Sequence, residues 1–370
     1  MDFIVKDLNV RPVAVIDLYT SAIWAERYCD TGDFELYMPL NSIYLEYLAI
    51  GNYLTLKDAD NPESEKAMII ESMQLESRLD TGEKIVLYKG SSLESILKRR
   101  VIPTETTLSG TIDVVVHTLL DQNVIFPNNP NSKRKISKFV WGGCLDATTT
   151  DYIRSLGEIE CQFTGDVLFD AVKSICEKVN LGFKVIFNDV GEFVFYLYYG
   201  VDRTINQAER DAVVFSPEYD TLISSRYLND FSSYRNLAYV TGEENEGSRT
   251  QTTAYFEEEE PSGLNRRELY VDANDIRSEY DGEQLTHNEY VNLLKYRGYS
   301  ELQENYTTTA FDGEIETSIG PKYGKGYFLG DFVSAVNEYG LGSVAQIVEY
   351  IRSYDVNGYS AYPSFVMINQ

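Results

Sequence analysis

At 370 residues, 43% of them hydrophobic, the chain is long enough for two to four domains and can bury a sizeable core. Its formal net charge of −26 argues against a surface built to grip nucleic acid, which needs clustered Lys and Arg. It does not exclude an acidic wall past which DNA slides without sticking.

The first forty residues read as β. A strand over Val13–Tyr19 follows Pro12, and a second over Ser21–Tyr28 offers Trp24 to one face. The Asp30–Asp33 turn contains Gly32, and Phe34–Met38 alternates until Pro39 closes it. Asn41–Leu48 fits a short helix, capped by Asn41 or Ser42, with Gly51 beyond its end. Ser91–Glu94 is a capping-box pattern opening a helix over Leu93–Arg100, whose basic end suits a helix C-terminus.

From about 103 to 208 the character changes. Helices are expected over Ile112–Leu120 and Asp166–Asn180, with Pro127–Ser132 a loop and Gly182 ending the second helix. The basic run Lys133–Lys138 reads as a solvated face. Phe183–Phe187 and Glu192–Tyr198 form a hairpin, which completes an α+β module. Strands return at Ala212–Phe215, Leu222–Leu228 and Asn236–Thr241. A polar stretch from 243 to 308 then interrupts them. It carries the acidic run Glu257–Glu260 and a second capping box, Thr286–Glu289, opening a helix through Tyr290, Val291, Leu293 and Leu294.

One pattern occurs twice. Leu48–Lys57, an acidic loop and Met68–Ser77 match Tyr327–Val336, a Gly-rich loop and Gln346–Asp355. Gly51 falls on Gly330, Tyr53 on Phe332, Leu54 on Val333, and Ile69-Ile70-Glu71 on Ile347-Val348-Glu349. A third strand follows each copy, Lys84–Tyr88 and Tyr359–Phe365. A duplicated supersecondary unit points to an assembly part, because one chain then supplies two similar modules to a ring.

No chemistry is legible. The two histidines, His117 and His287, lie far apart, and no H-E-x-x-H, C-x-x-C pair, G-x-S-x-G, Walker loop or G-x-G-x-x-G occurs. Cys29, Cys144, Cys161 and Cys176 are widely spaced and read as reduced core residues. Asp355–Ser360 starts like a calcium loop, but its glycine comes two places early and no glutamate ends it; a hairpin turn explains it. The expectation is a non-enzyme with no metal or cofactor. The N-terminus shows no secretory leader and no apolar run reaches membrane-spanning length, so synthesis in a bacterial cytoplasm without a membrane segment is expected.

Trp24-x-x-Arg27, Gly32-Asp-Phe-Glu-Leu36 closing on Pro39, Gly51-Asn-Tyr-Leu54, the Leu93 helix and the late Gly326–Val333 run, in this order, resemble the siphophage tail hub family. Its members are also called tail-associated, or Gp-thirty-seven-like siphovirus, proteins. The resemblance covers nearly the whole chain, and its motifs are structural. It implies a fold like the central hub of contractile-phage baseplates, mainly β with α+β insertions. Two related β-barrel, tail-tube-like modules would span 1–102 and 209–242 with 309–370. Two smaller α+β domains would span 103–208 and 243–308.

The resemblance further implies a structural virion protein of the tail tip. A homotrimer with pseudo-sixfold symmetry would join a sixfold tail tube or distal tail protein to threefold tip, spike or receptor-binding proteins. The tape measure protein would be a neighbour, and DNA would pass through the ring. Trp24, Gly32, Phe34, Gly51, Tyr53, Leu54, Gly330, Phe332 and Val333 become candidates for module core or ring interface. By the resemblance, relatives often continue into a fibre-like or wall-degrading region, whereas this chain stops at Gln370, which puts hydrolase activity in doubt here and leaves another chain as a place for it. Two other classes stay open. A cell-wall glycan binder or hydrolase would need an aromatic-lined cleft with a close carboxylate pair. An extracellular β-domain adhesin would need export by a tail or injection system.

Overall fold

The computed structural model describes residues 2–367 except 41, 58–65, 78–83, 128–132, 246, 281–282, 306–307, 313, 317–318 and 341. The acidic loop after Lys57, the turn before Lys84 and most of the Pro127–Ser132 loop lie outside the described residues.

The chain begins with β1 (Asp2–Lys6), β2 (Pro12–Ile16), β3 (Ser21–Arg27), β4 (Asp33–Pro39), the helix α1 (Ser42–Tyr47), β5 (Tyr53–Lys57), β6 (Lys66–Ser77) and β7 (Lys84–Ser92). A 3-10 helix (Leu93–Arg99) leads to β8 (Thr106–Gly110), α2 (Ile112–Leu120), β9 (Phe139–Cys144), α3 (Ala147–Leu156), β10 (Ile159–Phe163), α4 (Leu168–Lys178), β11 (Gly182–Phe187) and β12 (Phe193–Tyr198). Then come β13 (Val214–Phe215), β14 (Arg226–Asp230), β15 (Leu237–Asn245), β16 (Ser248–Ala254), β17 (Glu268–Asp272), β18 (Glu279–Tyr280), β19 (Glu283–Gln284), α5 (His287–Glu304) and β20 (Thr308–Asp312). The last three strands are β21 (Phe332–Val336), β22 (Gly342–Asp355) and β23 (Gly358–Met367).

Both ends of the chain meet in one 13-stranded sheet. Its order is β14-β20-β23-β22-β3-β4-β7-β6-β5-β1-β2, with β21 on β22 and β13 on β21. Alternating apolar residues give each half a buried face. In the first half, Trp24 packs between Phe3 and Phe34, each with ring centroids 6.0 Å away, over Leu54, Ile70 and Tyr88. In the second half, Val333, Ile347, Tyr327 and Phe365 are buried together.

The segment between the halves has its own core. The faces of α2 and α4 (Val115, Val116, Leu119, Val172, Ile175) cover the sheet β11-β12-β9. Cys161 and Cys176 are buried there. The third helix, α3, was not expected; its signal is Asp146, whose carboxylate accepts the Thr149 N–H at 2.7 Å as an N-cap. The expected capping box at Ser91–Glu94 does not form. The helix there is 3-10, its cap is Ser92 with no side-chain cap bond, and the Glu94 carboxylate reaches across to accept the Val185 N–H at 2.7 Å.

The strand expected over Asn236–Thr241 is β15, and it pairs with β16 and β17 rather than with β14 or β20. With α5 packed on it, this sheet buries Val240, Ala254, Val271, Leu293 and Leu294. The second capping box is real, with the Thr286 hydroxyl accepting the Glu289 N–H and the Glu289 carboxylate accepting from Thr286. Thr286→Ala removes the cap, so amide exchange in the first turn of α5 should speed up about fivefold, measured by hydrogen–deuterium exchange.

Candidate assembly joint

The repeat is a repeat of geometry. Gly51 (φ +94°) and Gly330 (φ +88°) both lie in the left-handed region, where glycine is favoured. Each turns the chain into a strand and donates its N–H to the next strand, Gly51 to Ile70 at 2.8 Å and Gly330 to Ile347 at 2.7 Å. Ile70 and Ile347 donate back to Asn52 and Asp331 at 2.9 and 3.0 Å. A bulge follows each, between Ile70 and Ser72 and between Ile347 and Glu349.

These bonds correct the expected alignment by one residue. Gly51 on Gly330 and Tyr53 on Phe332 hold, but Ile70 corresponds to Ile347 and Glu71 to Val348. The ladders extend the match further. Ile70 faces Gly90 where Ile347 faces Phe365. Gly90 faces Phe34 where Phe365 faces Phe311, and Phe34 faces Trp24 where Phe311 faces Tyr227. Hence β3-β4-β7-β6-β5 and β14-β20-β23-β22-β21 are two copies of one strand set.

The two sets are joined end to end. The outer half of β22 pairs antiparallel with β3, with Tyr350 facing Glu26, Arg352 facing Trp24 and Tyr354 facing Ala22. On this seam sits a buried ion cluster. Glu26 accepts from Lys66 and Arg352, from the Tyr323 hydroxyl at 2.9 Å and from Trp24 Nε1 at 3.2 Å. Tyr323 stacks on Tyr350 with centroids 3.9 Å apart, and the Arg352 guanidinium lies 5.1 Å from both rings. Burial pushes the Glu26 carboxyl up, but Lys66 and Arg352 outweigh it and hold it below its ordinary value. At the edge, Arg27 ties Glu349 at 2.7 Å and Asp33 at 3.3 Å.

The equivalent seam positions at the far ends carry no strand partner among the described residues. From Ser72 to Ser77, β6 pairs with β7 alone and is exposed throughout. β14 ends the sheet, pairs with β20 alone and exposes Arg226 to Asn229.

Of the residues singled out from sequence, Trp24, Phe34, Tyr53, Leu54 and Val333 are buried in the cores, with Gly32 and Gly330 packed beside them. Phe332 is half-buried against Tyr199, with centroids 5.8 Å apart. Gly51 is half-buried where α1 ends. The seam residues Glu26, Lys66, Arg352 and Tyr323 were not anticipated. A Glu and a Lys in alternating strands look like solvated faces, and only the pairing of β22 with β3 encloses them.

His117 is exposed and stacks on Trp141 at 5.0 Å, while His287 is exposed in the first turn of α5. Asp355 accepts the Asn357 N–H at 2.7 Å inside the β22–β23 hairpin turn. A cleft of about 770 Å³ opens between the seam and β11–β12. Its carboxylates all have partners: Glu26 in the cluster, Asp30 with Lys173 at 2.7 Å, Asp331 with Arg203 at 2.6 Å, Glu94 with the Val185 N–H and Asp146 with the Thr149 N–H at 2.7 Å.

This architecture is that of phage and prophage tail proteins. The chain is similar to a tail protein from Neisseria meningitidis (12% identity, TM-score 0.56, covering 98% of this chain and 96% of that one). It is similar also to the 43 kDa tail protein of prophage MuSo2 from Shewanella oneidensis (13%, 0.57, 99% and 98%) and to prophage tail protein gp18 from Listeria monocytogenes (14%, 0.52, 98% and 94%). No curated protein matches it in sequence. The chain belongs to the siphovirus ReqiPepy6 Gp37-like protein family, whose model matches residues 4–365.

Proposed function

We propose that the chain is the structural hub of a phage or phage-like tail tip, and that three copies close a ring of six equivalent strand sets. The observation that carries this reading is the β22–β3 seam, which lays two copies of one strand set end to end in a single sheet and leaves a matching edge at each end. A ring of three such chains has threefold symmetry in its details and near-sixfold symmetry in its sheet. It can therefore join a sixfold tail tube or distal tail protein to threefold tip, spike or receptor-binding proteins. The net charge of −26 suits a bore through which DNA slides, with the tape measure protein passing the same way.

In this reading 1–102 is the first ring module, and 209–230 with 308–370 is the second. The α+β domain (103–208) and an insert redrawn to about 231–307, to include β15, stand outside the ring. The role is mechanical and non-enzymatic, in keeping with the committed carboxylates of the cleft. The native mass of the purified chain tests it, followed by particle imaging. Three times the 42.1 kDa chain mass, in a ring with six similar lobes, is the expected result. A monomer that cleaves purified cell wall would replace this reading with the glycan-hydrolase one.

A further inference from the structure

This inference rests on the ring reading and names the contact that closes the ring. We infer that residues 72–76 of β6 in one copy pair antiparallel with residues 226–230 of β14 in the next, repeating between chains the seam that β22 and β3 make within one.

The register follows from the ladders. Ile347 corresponds to Ile70, so Tyr350, Arg352 and Ser353 correspond to Met73, Leu75 and Glu76. Phe34 corresponds to Phe311, so Ile23, Trp24 and Glu26 correspond to Arg226, Tyr227 and Asn229. The observed partners Tyr350–Glu26, Arg352–Trp24 and Ser353–Ile23 then place Met73 opposite Asn229, Leu75 opposite Tyr227 and Glu76 opposite Arg226.

Three observations fit this pairing. Both edges expose large apolar side chains, Leu75 at 56% and Tyr227 at 40%, and such an edge pairs or aggregates unless covered. The register sets these two apolar side chains against each other. It also sets an acid, Glu76, against a base, Arg226, where like charges would repel. The occupant is a second copy, because the edge complementary to β6 is the chain's own β14, at the other end of the sheet. Such head-to-tail contacts close into a ring or run on as a filament.

The test uses the full chain with Leu75→Cys and Tyr227→Cys together. Facing strand positions lie within disulfide reach. Mild oxidation should give non-reducible-by-heat ladders of up to three chains on denaturing gels, lost on adding thiol, above the background of the parent chain. Leu75→Cys with Asp230→Cys, three places out of register, should give none. Glu76→Arg should weaken assembly about fivefold per contact, and adding Arg226→Glu should restore it. A three-chain native mass with no cross-link, or with cross-links only out of register, overturns this pairing and leaves the ring reading standing. A single-chain mass at every concentration, with no cross-link, overturns both.

Discussion

Glu26→Ala should destabilise the chain by about 3–5 kcal/mol, read from the denaturant midpoint and from faster amide exchange in β3 and β22. Glu26 is 8% exposed and its partner Arg352 5% exposed, so deleting the carboxylate leaves the Arg352 and Lys66 charges in the seam without their shared acid. A stranded buried charge costs more than the pair contributed. Removing the charges together (Glu26→Met, Lys66→Met and Arg352→Leu) should therefore cost less than Glu26→Ala alone. If the triple change is the worse one, the cluster stabilises by more than mutual compensation. The same group sets an acid limit. Its folded pKa is depressed, so its contribution is present above the ordinary carboxylate range of about 4 and is lost as pH falls through the folded value. Below about pH 4 the seam should loosen first, seen as early exchange of β3 and β22 amides.

Gly330→Ala should cost on the order of 3 kcal/mol, and Gly51→Ala about 1–2 kcal/mol, although the two glycines occupy equivalent places. The backbone strain is shared, at φ +88° and +94°. The surroundings are not. A Cβ on Gly51 meets only Leu8, at 3.7 Å, whereas one on Gly330 runs into the Tyr28 ring, with two ring atoms at 2.8 and 2.9 Å. That ring is 3% exposed and held by its hydroxyl, which donates to the Asn180 carbonyl at 3.0 Å, so it has little room to turn. Paired unfolding curves of the two variants measure the difference. Equal losses would show that Tyr28 moves aside freely.

Much of the fold was legible because its constraints are local. A left-handed glycine followed by an alternating strand left the same mark twice, and the Thr286 cap announced α5. What was not legible depends on pairing. The bulges at Glu71 and Val348 leave no sign in the sequence, so the strands were aligned one residue out. The match of Phe34 with Phe311 is hidden because the insert separates β14 from β20 and only the ladder relates them. Met73 and Leu75 alternate as a buried strand would, yet they lie on an open edge. The seam was invisible for the same reason, since Glu26 and Arg352 are 326 residues apart in sequence.

The insert leaves and rejoins the sheet at one rung, since Asp230 at the end of β14 faces Thr308 at the start of β20. Its two ends are therefore neighbours, and the sheet needs only a turn there. A segment grafted at such a point can be exchanged, lengthened or trimmed without disturbing the strands that carry it. Its ties to the α+β domain run through α5, where Gln303 donates to the Glu177 carbonyl at 3.1 Å, Lys178 donates to that of Tyr296 at 3.2 Å, and the Tyr296 ring packs against the middle core. The inserted segment of this protein can thus diversify at its own pace while the sheet that carries it stays fixed.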